Sequence, residues 1–211
     1  MSLAHGEQLR TLEEHGEGEG RGINWWGMIF FITSEALIFA NFIAAYLYLE
    51  IRSPHPWHLP TELTYPLINT FILLGSSFPI HYLTGRGILK GNQRNLKLGL
   101  ILTIIMGAVF LGGQVYEYSG LFGQHFTPQG TQVPGVPDVF GSSFFMLTGF
   151  HGLHVTIGLI FLIIVLLRSL RGDFTAKNHF AVQAGEMYWH FVDGVWVFVF
   201  SLVYLLPLIR G

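Results

Sequence analysis

Residues 25–49 read WWGMIFFITSEALIFANFIAAYLYL, an apolar run whose one charged residue is Glu35. As a helix rising about 1.5 Å per residue, a run of this length crosses a hydrocarbon core of about 30 Å with some tilt. Glu35 then falls about 15 Å from the start of the run, close to the middle of a bilayer. A carboxyl group at that depth costs on the order of 3 kcal/mol to insert. It therefore needs a proton, a hydrogen-bonding partner inside a bundle, or both.

The rest of the chain repeats the pattern. Of 211 residues, 51% are hydrophobic and 11% charged, against about 25% charged in an ordinary soluble domain. The mean hydropathy is +0.48. Four more apolar runs follow, at 65–83, 98–116, 139–167 and 187–206. Backbone groups in lipid must be satisfied within the segment, and none of these runs alternates as a barrel strand would. The expected fold is all-α, an integral membrane bundle of five transmembrane helices over residues 25–211. Residues 1–24, polar and glycine-rich, read as a flexible cytoplasmic tail without the apolar core of a signal peptide.

Basic residues set the expected orientation. Arg10, Arg21, Arg86, Lys90, Arg94, Lys97, Arg168, Arg171 and Lys177 fall on one side, and only Arg52 and Arg210 on the other. By the positive-inside rule the N-terminus is cytoplasmic and the C-terminus outside. With a formal net charge of −2 and no basic stripe, nucleic acid is not an expected partner. The absence of cysteine excludes iron–sulfur clusters, thiolate copper centres, covalently attached haem and disulfides.

Polar groups within the runs are few. The second run holds His81, and the third ends in Gln114 and Glu117. The fourth contains GFHGLH (149–154), with His151 and His154 three residues apart and so on one helical face. The fifth opens as GEMYWHFVDGVW (185–196), placing Glu186, His190 and Asp193 at i, i+4 and i+7, again on one face. Two helices are thus expected to present polar stripes to each other or to the first.

These groups contain enough donors for zinc or non-haem iron. The pattern argues against it, because HGLH lacks the glutamate of HExxH and no ExxH pair of a di-iron bundle is present. Interhelical hydrogen bonds and contacts to lipid headgroups are the expectation, with no metal and no catalytic residue on this chain. A stand-alone metal enzyme and a small transporter relaying protons through Glu35 and Asp193 are the competing classes. The aromatic residues Trp25, Trp26, Trp57, Tyr116, Tyr118 and Tyr204 are expected at membrane interfaces. GAVFLGG (107–113) offers small residues for close packing, and Pro79 is expected to kink the second helix. The stretch SGLFGQHFTPQGTQVPGVPD (119–138), with four Gly and three Pro, is expected to be irregular.

Four segments resemble those of a known family. FFITSEALIFANFIAAYLY (30–48) is similar to a Ser-Glu helix, LGGQVYEY (111–118) to a Gln-x-x-Glu-Tyr helix end, GSSFFMLTGFHGLHVTIG (141–158) to a Gly-Phe-His-Gly-x-His helix, and YWHFVDGVWVFVFSLVYL (188–205) to a terminal Tyr-Trp-His-Phe-Val-Asp helix. The family is subunit III of the haem-copper terminal oxidases, in a five-helix bacterial form.

The resemblance implies a non-catalytic accessory subunit of a proton-pumping aerobic oxidase of the cytochrome c oxidase type, in the bacterial cytoplasmic membrane. A quinol oxidase or a nitric oxide reductase-associated homologue is the alternative. Direct packing on subunit I, contact with subunit II and bound phospholipid are implied, with haem and copper confined to the partner subunits. It also implies that Glu35 is a buried carboxylate near a lipid cleft and the proton-uptake region. Glu117, His151, His154, Trp189, His190 and Asp193 are implied as lipid or interhelical contacts. One departure stands out. The family often carries a Glu before the last helix, where this chain has Gln183 in HFAVQA (179–184), with an acid three residues later at Glu186.

Overall fold

The computed structural model describes residues 22–53, 57, 59, 62–132 and 137–210. The expected N-terminal tail lies outside the described residues up to position 21, and Ile23 and Asn24 already belong to the first helix.

Helix α1 (Ile23–Arg52) is followed by α2 (Thr64–Gly75), a π-helical stretch (Pro79–Gly85) and the short α3 (Arg86–Leu89). Then come α4 (Gln93–Gly123), a hairpin of β1 (Phe126–Thr127) and β2 (Gly130–Thr131), and α5 (Asp138–Leu170). The chain ends with α6 (Phe180–Phe200), a second π-helical stretch (Ser201–Leu205) and α7 (Leu206–Arg210). The chain is a membrane protein with an all-α bundle. Among the described residues, four helical rods are long and apolar enough to cross a membrane: Ile23–Arg52, Gln93–Gly123, Asp138–Leu170 and Phe180–Ile209. The second expected span, 65–83, is instead built from α2 and the π stretch, and α3 continues the rod beyond it.

Pro79 accounts for the break. It has no N–H to donate to the residue one turn earlier, and its ring crowds that carbonyl. The helix widens to π geometry at Pro79 and returns to α geometry at Arg86. This re-registers the end of the rod on which His81 sits, as π-bulges commonly do at functional positions.

The rods outlast the apolar runs at both ends. Asn92 starts α4 by accepting the Asn95 N–H through its side chain at 3.1 Å, a standard N-cap. Two glycines of the GAVFLGG stretch fulfil the packing expectation. A methyl group at Gly107 would lie 2.6 Å from the Trp189 ring, and one at Gly113 2.6 Å from the Asn69 amide. The absence of Cβ lets α4 seat against α6 and α2.

Two sequence expectations are corrected here. Trp57 and Tyr204 are buried in the bundle and do not present their rings to the surroundings. Trp57 is fully buried between Tyr46 (centroids 5.1 Å) and a stacked Phe140 (4.9 Å), and Tyr204 is buried with its hydroxyl on Glu117. A ring near a span end can serve the core if the helix rotation points it inward. The 119–138 stretch is also more regular than expected. Helix α4 persists to Gly123, and the β1–β2 hairpin docks on α5 through Thr131 N–H to the Asp138 carboxylate at 2.9 Å.

Burial is uneven. Only 6% of the α1 span is buried, against 39–50% in the other three. Helix α1 is the peripheral rod, held against α5 and α6, and its outer face carries Phe30, Leu37 and Tyr48 exposed.

Candidate functional site

Glu35 meets His154. The carboxylate Oε2 of Glu35 on α1 lies 3.0 Å from Nε2 of His154 on α5. Nδ1 of the same ring lies 2.9 Å from the Phe150 carbonyl oxygen. A carbonyl only accepts, so the hydrogen on that side belongs to Nδ1. The Nε2–Oε2 contact then contains one proton, shared as carboxylic acid on imidazole or as carboxylate on imidazolium. Either way the pair is neutral overall, which suits a low-dielectric span. Phe39 and Phe150 enclose the ring edge-on at 4.8 and 4.6 Å. Tyr188 hydroxyl donates to the His154 carbonyl at 3.3 Å and stacks on Phe31, tying α6 into the same joint.

His151 behaves differently. It shares a face with His154 in sequence, yet its ring is fully buried between Trp196 (4.6 Å) and Phe110 (5.9 Å). Neither of its nitrogens has a hydrogen-bond partner among the described residues. The expected hydrogen bond is not made, because a three-residue spacing turns the two rings about 60° apart. One faces α1 and the other faces α4 and α6.

The stripe on α6 remains on one face and turns to the second rod, not to α5 or α1. Glu186 Oε1 lies 2.6 Å from His81 Nδ1 on the π stretch and 3.8 Å from His190 Nε2. Ser77 Oγ contacts His190 Nδ1 at 3.1 Å and donates to the Asp193 carboxylate. His81, Glu186, His190, Ser77 and Asp193 therefore form one polar chain between the two rods. Gln183, at the family's acidic position, lines the adjoining cavity beside His81. Glu186 stands three residues further along and lines the same cavity.

Other buried polar side chains also join helices. Trp189 Nε1–H donates to Ser76 Oγ at 2.8 Å, and Trp196 Nε1–H to Thr70 Oγ1 at 2.9 Å. Tyr204 donates to Glu117 at 3.0 Å, and Gln114 to the Thr148 carbonyl at 2.9 Å. Sequence reading missed Ser77, Tyr188 and Thr148. Ser77 stands four residues before His81 on the same rod, and Tyr188 and Thr148 fall within the segments 188–205 and 141–158.

The model of the family "Cytochrome c oxidase subunit III" matches residues 10–207. The chain belongs to that family. It is similar to cytochrome c oxidase subunit 3 of Thermostichus vulcanus, 43% identical over 85% of this chain and 86% of the relative. It is similar also to that of Synechocystis sp., 39% identical over 92% and 80%. The subunit of Rattus norvegicus is 40% identical over 85% and 68%. Within this family the side chains above sit on the motif-bearing helices: Glu35 on α1, Gln114 and Glu117 on α4, His151 and His154 on α5, and Trp189, His190 and Asp193 on α6.

Proposed function

We propose that this chain is a non-catalytic accessory subunit of an oxygen-reducing, proton-pumping cytochrome c oxidase in a bacterial cytoplasmic membrane. One observation carries the reading: the half-buried Glu35 and the buried Glu117 and Asp193 are tied across helix boundaries, Glu35 to α5, Glu117 to the end of the α6 rod and Asp193 to Ser77. Such groups clamp a scaffold. No redox group is assigned to them, and haem and copper belong to the partner subunits. The relatives' names favour cytochrome c over quinol as the electron source.

The broken second rod crosses the membrane as the fifth span, with the N-terminus cytoplasmic and the C-terminus outside. The sparsely buried α1 provides the surface for subunit I and lipid. Between α1 and α6 runs an apolar groove of about 600 Å³, lined by Ala36, Ala40, Ala44, Phe191, Gly194 and Phe198. A phospholipid acyl chain fits that chemistry, and lipid held there supports the shape of the proton-uptake region during turnover.

The test is enzymatic, on the purified oxidase. Glu35→Ala and His154→Ala should leave the initial rate within about twofold and shorten sustained turnover several-fold, because the α1 joint loosens. An equal loss of both rates would assign the pair a direct part in the chemistry. Gly194→Leu should reduce the phospholipid retained per complex, and unchanged lipid content would remove the groove from the reading.

A further inference from the structure

We infer that His81, Glu186 and His190 form an exchangeable binding site for a divalent transition metal of the Zn²⁺ class, completed by water. Their three ligand atoms lie within 4.8 Å of one another. Two imidazole nitrogens and one carboxylate oxygen are the borderline donor set that zinc-class ions take, usually as three protein ligands and a water. Calcium or magnesium would want six or more oxygens, or near-complete hydration.

The site is built from both sides. His81 comes from the π stretch, so the bulge at Pro79 sets its direction. Glu186 and His190 stand one turn apart on α6. Gly85 makes room for the carboxylate, since a Cβ there would lie 2.6 Å from Glu186 Oε2. Ser77 donates its one hydrogen to Asp193, so its oxygen accepts from His190 Nδ1–H. In the neutral ring the Nε2 lone pair is then the free one, and it faces Glu186 Oε1 at 3.8 Å. A cation placed between the two atoms, proton or metal ion, satisfies both acceptors across that gap. A carboxylate that orients a ligating imidazole is the usual outer support of such sites, and here Asp193 acts through Ser77.

Access and distances suit exchange. Side-chain exposure is 48% for His81 and 40% for His190, but 17% for Glu186. The half-buried acid is the more enclosed ligand and the imidazoles are the more exposed ones. Bonds of about 2.0–2.1 Å in a tetrahedron put ligand atoms roughly 3.3 Å apart. The 3.8 Å gap needs little change, and the 2.6 Å His81–Glu186 contact must open. A proton holds that contact. On metal binding the proton leaves this contact, to water from an imidazolium or to Nε2 of the same ring from a neutral imidazole, so that the ring ends neutral with Nε2–H and its Nδ1 lone pair takes the metal. The neighbouring cation, Arg86, lies over the Tyr82 ring at 4.5 Å. The adjoining cavity of about 170 Å³ has space for the water ligand. An occupied site pins α6 to the second rod.

The full chain, purified in detergent and treated with chelator, should be titrated with Co²⁺ and followed by its visible d–d bands. One equivalent should bind with the intense bands of tetrahedral coordination and be displaced by Zn²⁺. His81→Ala and Glu186→Gln should each weaken binding at least tenfold, and Ser77→Ala roughly tenfold through the orientation of His190. A variant with His5 and His15 both replaced by Ala should bind as the native chain does. Non-saturable binding, weak octahedral bands, or unchanged affinity in His81→Ala and Glu186→Gln would overturn the assignment. So would loss of binding on replacing His5 and His15. Should the site variants fail to fold, X-ray absorption of the Zn²⁺-loaded native chain decides: two imidazoles in the shell are expected, and none would overturn it.

Discussion

Glu35 and His154 show why a charged residue survives in an apolar span. Each alone would be a costly buried polar group, and together they share one proton and carry no net charge. Removing one partner strands the other, whereas replacing both by apolar residues removes the problem. His154→Ala or Glu35→Ala should therefore destabilise the bundle by about 3 kcal/mol. The Glu35→Leu/His154→Leu double variant should recover most of that loss in a detergent unfolding titration. Additive losses would show that the two do not act as a pair. His151 predicts the opposite behaviour. Its ring fills space between Trp196 and Phe110 and makes no hydrogen bond among the described residues. His151→Leu, close in volume, should cost less than about 1.5 kcal/mol by the same titration. A loss larger than that of His154→Ala would assign His151 a polar role.

At the scale of elements, close approach and the π bulge decide how the rods meet. Helix α4 carries Gly107 against the Trp189 ring, while Gly112 faces open space. Gly107→Ala should lower the melting temperature of the full chain by several degrees, since either the indole or the helix must move. Gly112→Ala should be neutral or slightly stabilising, because alanine favours the helix and meets nothing. Equal effects at both positions would refute the packing argument. The π stretch is the other device. Pro79 was legible as a disturbance in an apolar run, but its outcome was not. A proline can kink a helix or widen it, and the choice depends on how the freed carbonyls are satisfied by what packs around them. The β1–β2 hairpin escaped notice for a related reason, since two-residue strands carry no periodicity to read.

For the whole molecule, orientation is the property most open to direct test. The native chain has no cysteine, so single replacements report location without interference. Asn92→Cys, between α3 and α4, should react with a membrane-impermeant thiol reagent from the cytoplasmic side. Glu62→Cys, between α1 and α2, should react from the opposite side. Labelling of both from one side would show that the second rod does not cross. The basic residues of the Arg86–Lys97 region support the assigned direction. The four rods with long apolar stretches were readable from composition alone, because lipid demands apolar side chains and an internally bonded backbone.

By itself the sequence determined the class of molecule: apolar runs of membrane length, few charges, no cysteine chemistry, and motifs shared with one oxidase subunit family. It also marked which side chains were too polar to face lipid. Only the tertiary structure decided their partners. Helix rotation sends His154 to Glu35 and leaves the neighbouring His151 among aromatic rings. It turns the Glu186–His190–Asp193 stripe to a bulged rod rather than to α5. Periodicity fixes which residues share a face, but the neighbour that face meets depends on how all the rods pack at once.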